Sequence, residues 1–91
     1  MRATKIKMKP GCGQSNNLVE IDEIYITDCA KDGFYKKADI HDYLNNNPGK
    51  IQVNIYPYPN CIPATSTNGE KYVKSSPNNT ERDNLLNLPR E

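Results

Sequence analysis

Polar and apolar residues alternate from Thr4 to Lys9, with Ile6 and Met8 on one side and Lys5, Lys7 and Lys9 on the other. A period of two predicts a strand with one buried face. The stretch "PGCGQSNN" that follows is dense in turn formers and predicts a loop of mixed turns. In "LVEIDEIYITD", Val19 and Ile21 share one phase and Ile24 and Ile26 the other. One extra residue near Asp22-Glu23, a β-bulge, would return both pairs to a single face; two short strands across a bend are the alternative. "CAKDG" then breaks the alternation.

From Lys36 to Asn46 the period changes. Ile40, Tyr43 and Leu44 stand at i, i+3 and i+4, with Ala38 nearby, which predicts a short amphipathic helix packed on a sheet. Lys36 and Lys37 are poorly placed for the helix dipole and neither is a capping residue, so the start is weakly specified. "NNNPG" ends it. Strict alternation returns in "KIQVNIYPYP", with Ile51, Val53 and Ile55 inward, until Pro57 and Pro59 forbid further ladder bonds. Asn68-Gly69 predicts a type I′ hairpin turn, with "PATST" opposite "EKYVKS". The element order is β-β-α-β-β-β. The predicted fold is α+β, a mainly antiparallel sheet of four to five strands covered by one helix, with residues 1–91 forming a single domain.

The last stretch, "NNTERDNLLNLPRE", sets Leu85, Leu86 and Leu88 in an otherwise polar tail. Thr80 and Asp83 have capping-box spacing, and Pro89 stops the turn they would begin. A fully buried leucine is worth roughly 1.5–3 kcal/mol, so a domain this small is expected to fold the tail back over its core. A tail docked on a partner is the competing expectation. "KYVKSSPNNTERDNLLNLPRE", with its Tyr-Val strand and its Asp83-Asn84-Leu85-Leu86 and Leu88-Pro89 ending, resembles the closing signature of the small bacterial domains grouped as DUF3892. That resemblance implies a compact bacterial or phage domain and carries over no catalytic residue.

Composition narrows the chemistry. Twelve basic and eleven acidic side chains leave a formal charge of +1, without the electrostatic footprint of a duplex-DNA binder. No apolar run reaches the ~18 residues of a membrane span, and "MRATKIKMKP" lacks the apolar core of a signal peptide, so the cytoplasm is the expected compartment. Cys12, Cys29 and Cys61 are odd in number and widely spaced, which favours thiols over a disulfide framework. Together with His41 they could complete a zinc set on paper, but no short chelating spacing is present, and neither metal nor cofactor is expected. His41, the single histidine, is expected on the polar side of the helix, and Asp22-Glu23 and Asp39-Asp42 as solvated charges.

No P-loop, dinucleotide fingerprint or Gly-x-Ser-x-Gly occurs, so no catalytic residue is assigned and an enzyme is not expected. The suggestive surface combines Lys5, Lys7 and Lys9 with Tyr25, Tyr56 and Tyr58, a platform for stacking bases and holding phosphates if all share one sheet face. Alternating lysines also protect strand edges, and tyrosine suits half-exposed strands. The leading expectation is a binding module that recognises a protein or a small polar ligand through that face or through "IYPYPNCIP", where a partner strand or a second copy could add to an open edge. The alternatives are a binder of single-stranded nucleic acid or nucleotides and a phage-type inhibitor of a host enzyme.

Overall fold

The computed structural model describes residues 1–76 and 85–91. The Thr80–Asp83 capping pattern lies outside the described residues. β1 (Arg2–Met8), β2 (Ile21–Thr27), β3 (Gly33–Lys36) and β4 (Gln52–Val53) form one sheet in the order β3-β2-β1-β4. β1, β2 and β3 are antiparallel neighbours, whereas β4 runs parallel to β1. β5 (Cys61–Thr65) and β6 (Lys71–Ser75) make a separate antiparallel ribbon. The helix α1 (Lys37–Asn46) packs against this ribbon and against β2 and β3. The fold is thus the expected α+β arrangement, with the strands divided between a mixed sheet and a ribbon.

Two bulges set which side chains reach the core. Lys7 lies opposite Glu23 but Met8 opposite Ile21, so Asp22 is the extra residue that the shift of phase required. Ile21, Ile24 and Ile26 are all buried as a result. A second bulge, which the alternation does not announce, leaves Thr4 unmatched between Ala3 opposite Ile26 and Lys5 opposite Tyr25. Through it Ala3 and Ile6, three positions apart, both become fully buried. The 3₁₀ turn Leu18–Glu20 takes Val19 out of β2.

The helix matches its predicted span but is rotated about its axis. Its buried residues are Lys37, Ile40, His41 and Leu44, the i, i+3, i+4, i+7 face, while Tyr43 is 37% exposed. His41 is therefore not a surface residue: it is 7% exposed, with Nδ1 at 3.3 Å from Asp42 Oδ1 and 3.4 Å from Asn45 Nδ2. The rotation follows from Lys37, whose ammonium donates to the Val19 carbonyl and to Glu70 Oε2 and so turns the first helical residue inward. A lysine at a helix N-terminus opposes the dipole, and the Glu70 carboxylate beside it offsets that. The end is as expected: Asn47 Nδ2 donates to the Tyr43 carbonyl at 2.9 Å and Asn46 Nδ2 to that of Asp42 at 3.2 Å.

The stretch from Ile51 departs further from expectation. Ile51 and Val53 are buried, but the ladder covers only Gln52 and Val53, and the chain bends at Asn54 and Ile55 into a turn. It then doubles back. Val53 N–H donates to the Pro59 carbonyl at 2.9 Å and Cys61 N–H to that of Ile51 at 2.8 Å. "IYPYPNCIP" consequently covers the outer side of β4 itself and does not offer the open edge considered above. The hairpin turn also differs: Asn68 lacks the positive φ of a type I′ turn. The turn spans Ser66–Gly69, with Gly69 N–H donating to the Ser66 carbonyl at 2.9 Å and Gly69 taking φ +83°.

The tail closes the core. Leu85 is fully buried, Leu88 is 4% exposed, and Leu86 is half-buried against the same cluster. Beyond the 3₁₀ turn Leu85–Asn87, Ile6 N–H donates to the Pro89 carbonyl and Glu91 N–H to that of Ile6, both at 2.9 Å. The last residues therefore lie parallel to β1 and pair with it at Ile6, where β4 pairs with Arg2 and Ala3. Arg90 fastens the tail by donating to the Gly13 carbonyl at 2.8 Å and that of Leu86 at 3.2 Å.

Candidate functional site

The lysine and tyrosine residues singled out by their alternation do not form one platform. Lys5, Tyr25 and Phe34 make a row across β1, β2 and β3. Lys5 Nζ stands 4.9 Å from the Tyr25 ring centre and Lys7 Nζ 4.8 Å from that of Phe34, and the two rings meet edge to face at 5.1 Å. Phe34 was missed because β3 itself is not legible in the sequence. Tyr56 and Tyr58 form a second edge-to-face pair at 5.9 Å, and the Arg2 guanidinium carbon lies 4.1 Å over Tyr58. Lys9 belongs to neither group: its Nζ bonds Glu70 Oε2 at 2.6 Å, and this bond raises its pKa. Lys5 also pairs with Glu91 at 3.2 Å, so these cations already have partners within the chain.

A polar network occupies the far end of β1. Glu70 accepts from Lys37 and Lys9, and these bonds hold its carboxyl down at about 2. Beside it Glu20 accepts from Ser15 Oγ and, at 3.0 Å, from Cys12 Sγ. The same bonds lower the Glu20 pKa and raise that of Cys12. The network ties the 10–17 loop, α1, β1 and the hairpin turn together. It contains no histidine base, and its charges are paired with one another, so we read it as scaffold.

The thiols lie in three different places. Cys12 is in this network, Cys61 is in the core, where burial pushes its pKa up to about 12, and Cys29 is at the edge of a groove. Among the described residues no three His, Cys, Asp or Glu side chains are grouped to hold a metal.

That groove is a concave feature formed by the described residues. It has a volume of about 480 Å³ and lies where α1 passes over the 28–32 loop and the residues just before β1 and β4. Ile26, Ile40 and Ile51 make its aliphatic floor, and the rings of Tyr35 and Tyr43 make two of its walls. The helix rotation that buries His41 is also what turns Tyr43 toward the groove. Tyr35 is fixed by its hydroxyl, which donates to the Lys31 carbonyl, and desolvation followed by the nearby Cys29 thiol raises the phenol pKa. Asp39, one turn before Tyr43, and Lys31 bring one charge of each sign to the lining. The sequence could not point to this site, because its lining comes from six separate parts of the chain.

Among the described residues no helix is long and apolar enough to cross a membrane. No curated protein and no solved structure matches the chain. Residues 2–89 match the model of the family described as protein of unknown function (DUF3892), and the chain belongs to it.

Proposed function

We propose that this protein is a binding module and not an enzyme, and that its ligand is a small amphipathic molecule seated in the groove between α1 and the 28–32 loop. The observation that carries this reading is the groove's composition: about 480 Å³ of space with aliphatic and aromatic walls and one carboxylate and one ammonium group. Ligand sites commonly have this size and this mixture of an apolar body with few polar groups. The apolar floor calls for a ligand with an apolar body, in place of the protein or small polar ligand expected at the sheet face or the Pro-rich edge. Its polar end would meet Asp39 or Lys31. A cytoplasmic setting suits three free thiols.

The test is a ligand-observed NMR screen of amphipathic fragments, repeated on Ala30→Trp. Ala30 is exposed on the groove wall, so the larger side chain fills the space without entering the core. Hits are expected to lose about tenfold or more in affinity, roughly 1.4 kcal/mol, at an unchanged melting temperature. Hits that bind the variant equally well refute the reading.

A second reading, binding of single-stranded nucleic acid, is favoured by the row of Lys5, Tyr25 and Phe34 with Lys7 beside it. Base stacking there would have to displace the lysines from the rings they already cover. Oligonucleotide titrations at two salt concentrations decide it: association that weakens with salt supports this reading, and its absence removes it.

A further inference from the structure

We propose that the outer edge of β3 is an interface between two copies of this chain, joined by antiparallel pairing of β3 with itself. β3 ends the order of the sheet, and among the described residues no backbone hydrogen bond reaches its outer side. An edge of this kind is a template for another strand. The segment that would pair is Asp32-Gly33-Phe34-Tyr35-Lys36, with an acidic residue at one end and a basic residue at the other.

Geometry selects the register. Residues directly opposite in an antiparallel pair turn their N–H and C=O groups either both inward or both outward, so a strand meeting its own copy opposes only residues of equal parity. Centring on Tyr35 would set Gly33 against Lys37, whose ammonium is already bonded to Glu70. Centring on Gly33 would set Asp32 against Phe34. Centring on Phe34 sets Asp32 against Lys36 of the second copy at both ends, opposite charges in direct cross-strand contact.

The same register extends two rows already present. Lys7, Glu23 and Lys36 lie side by side across β1, β2 and β3, and Asp32 of the second copy continues that alternation of sign. Lys5, Tyr25 and Phe34 form the neighbouring row, which becomes four rings with a lysine at each end. On the opposite face Tyr35 lies across from Gly33, where a Cβ would meet nothing within 4 Å, so the pair brings no clash. Asp32 is available for the pairing. Among the described residues its Oδ1 accepts only a long bond from Cys29 N–H at 3.4 Å and a contact from Cys29 Sγ at 3.7 Å, and both Asp32 and Lys36 are exposed.

Light scattering coupled to size exclusion, run on the full chain over a wide concentration range, reads the mass directly. It is expected to rise from 10.3 kDa toward twice that value. Asp32→Lys is expected to weaken the dimer about tenfold or more, and adding Lys36→Asp to it to restore the dimer, because the charges then oppose each other in exchanged positions. The rescue separates pairing from a fold defect. Phe34→Cys places two introduced thiols about 4.5–5.5 Å apart at Cα, within disulfide range, and should give a symmetric cross-linked dimer on oxidation. A mass of 10.3 kDa at every concentration without a cross-link, or a dimer indifferent to both charge variants, overturns the proposal. The groove does not depend on it: a monomer that still binds fragments leaves the functional reading intact.

Discussion

Replacing Leu85 with alanine removes a side chain that is fully buried at the closure between tail, sheet and ribbon. Buried leucine-to-alanine substitutions cost about 2–5 kcal/mol, the transfer of the lost atoms plus the cavity they leave. The tail is anchored just beyond Leu85–Leu88, by the Arg90 bonds and by the two backbone bonds to Ile6, so it cannot collapse freely into that space. About 3 kcal/mol is therefore the expected cost. For 91 residues the whole stability is on the order of 5–13 kcal/mol, so this one change removes a quarter or more of it. The assay is urea unfolding followed by circular dichroism, with wild type and Leu85→Ala compared at equal slope. Melting should fall by about 15 °C, given 4–8 °C per kcal/mol for a domain of this size. Glu91→Gln, which removes only the exposed pair with Lys5, serves as a control and should shift little. A Leu85→Ala midpoint within about 0.5 kcal/mol of wild type would mean that the tail rests on the surface and does not close the core.

Two further outcomes follow from the titrating groups. Glu70 has its pKa lowered from 4.5 to about 2 in the folded chain, so the stability it supplies is complete above pH 4.5 and is lost as pH falls through about 2. Asp42, lowered by Lys71 and then by His41, slopes the same way, so the informative quantity is the difference between wild type and Glu70→Gln. That difference should shrink between pH 4.5 and 2 in acid-unfolding curves, and a constant difference contradicts the Lys37–Glu70–Lys9 network. Among the thiols, Cys61 is 1% exposed with its pKa pushed up to about 12, so a disulfide reagent at pH 8 should reach it only after denaturant is added. Cys29 and Cys12 should react in the native protein, and Cys12 more slowly, because its bond to Glu20 holds the thiol protonated.

What could be read from the sequence was whatever a single periodicity determines. The bulge at Asp22 was legible because the apolar residues on either side of it fall in two phases, which one extra residue reconciles. Thr4 does the same in β1, but Ala3 is too small to mark a phase, and the alternation from Lys5 to Lys9 hides it. β3 was lost because Gly33-Phe34-Tyr35-Lys36 is too short to alternate and puts an aromatic ring on each face. The helix was found but misrotated, because its buried face includes Lys37 and His41, which an apolar count cannot select. The inward turn of Lys37 is matched by Glu70, contributed by the hairpin 33 residues away in the chain. The three leucines of the tail were legible for an energetic reason: so small a core could not spare them. The groove was not, since no local pattern brings Ile26, Tyr35, Tyr43 and Ile51 together.

The most direct measurement of the central functional claim is an intermolecular NOE spectrum of the ¹³C-labelled protein with an unlabelled fragment from the screen. Contacts from the fragment to the Tyr35 and Tyr43 rings and to the Ile40 methyl groups are the expected result. Contacts to Tyr25 and Phe34, or to Tyr56 and Tyr58, would place the ligand on an aromatic pair of the molecule's surface and contradict the groove as the binding site.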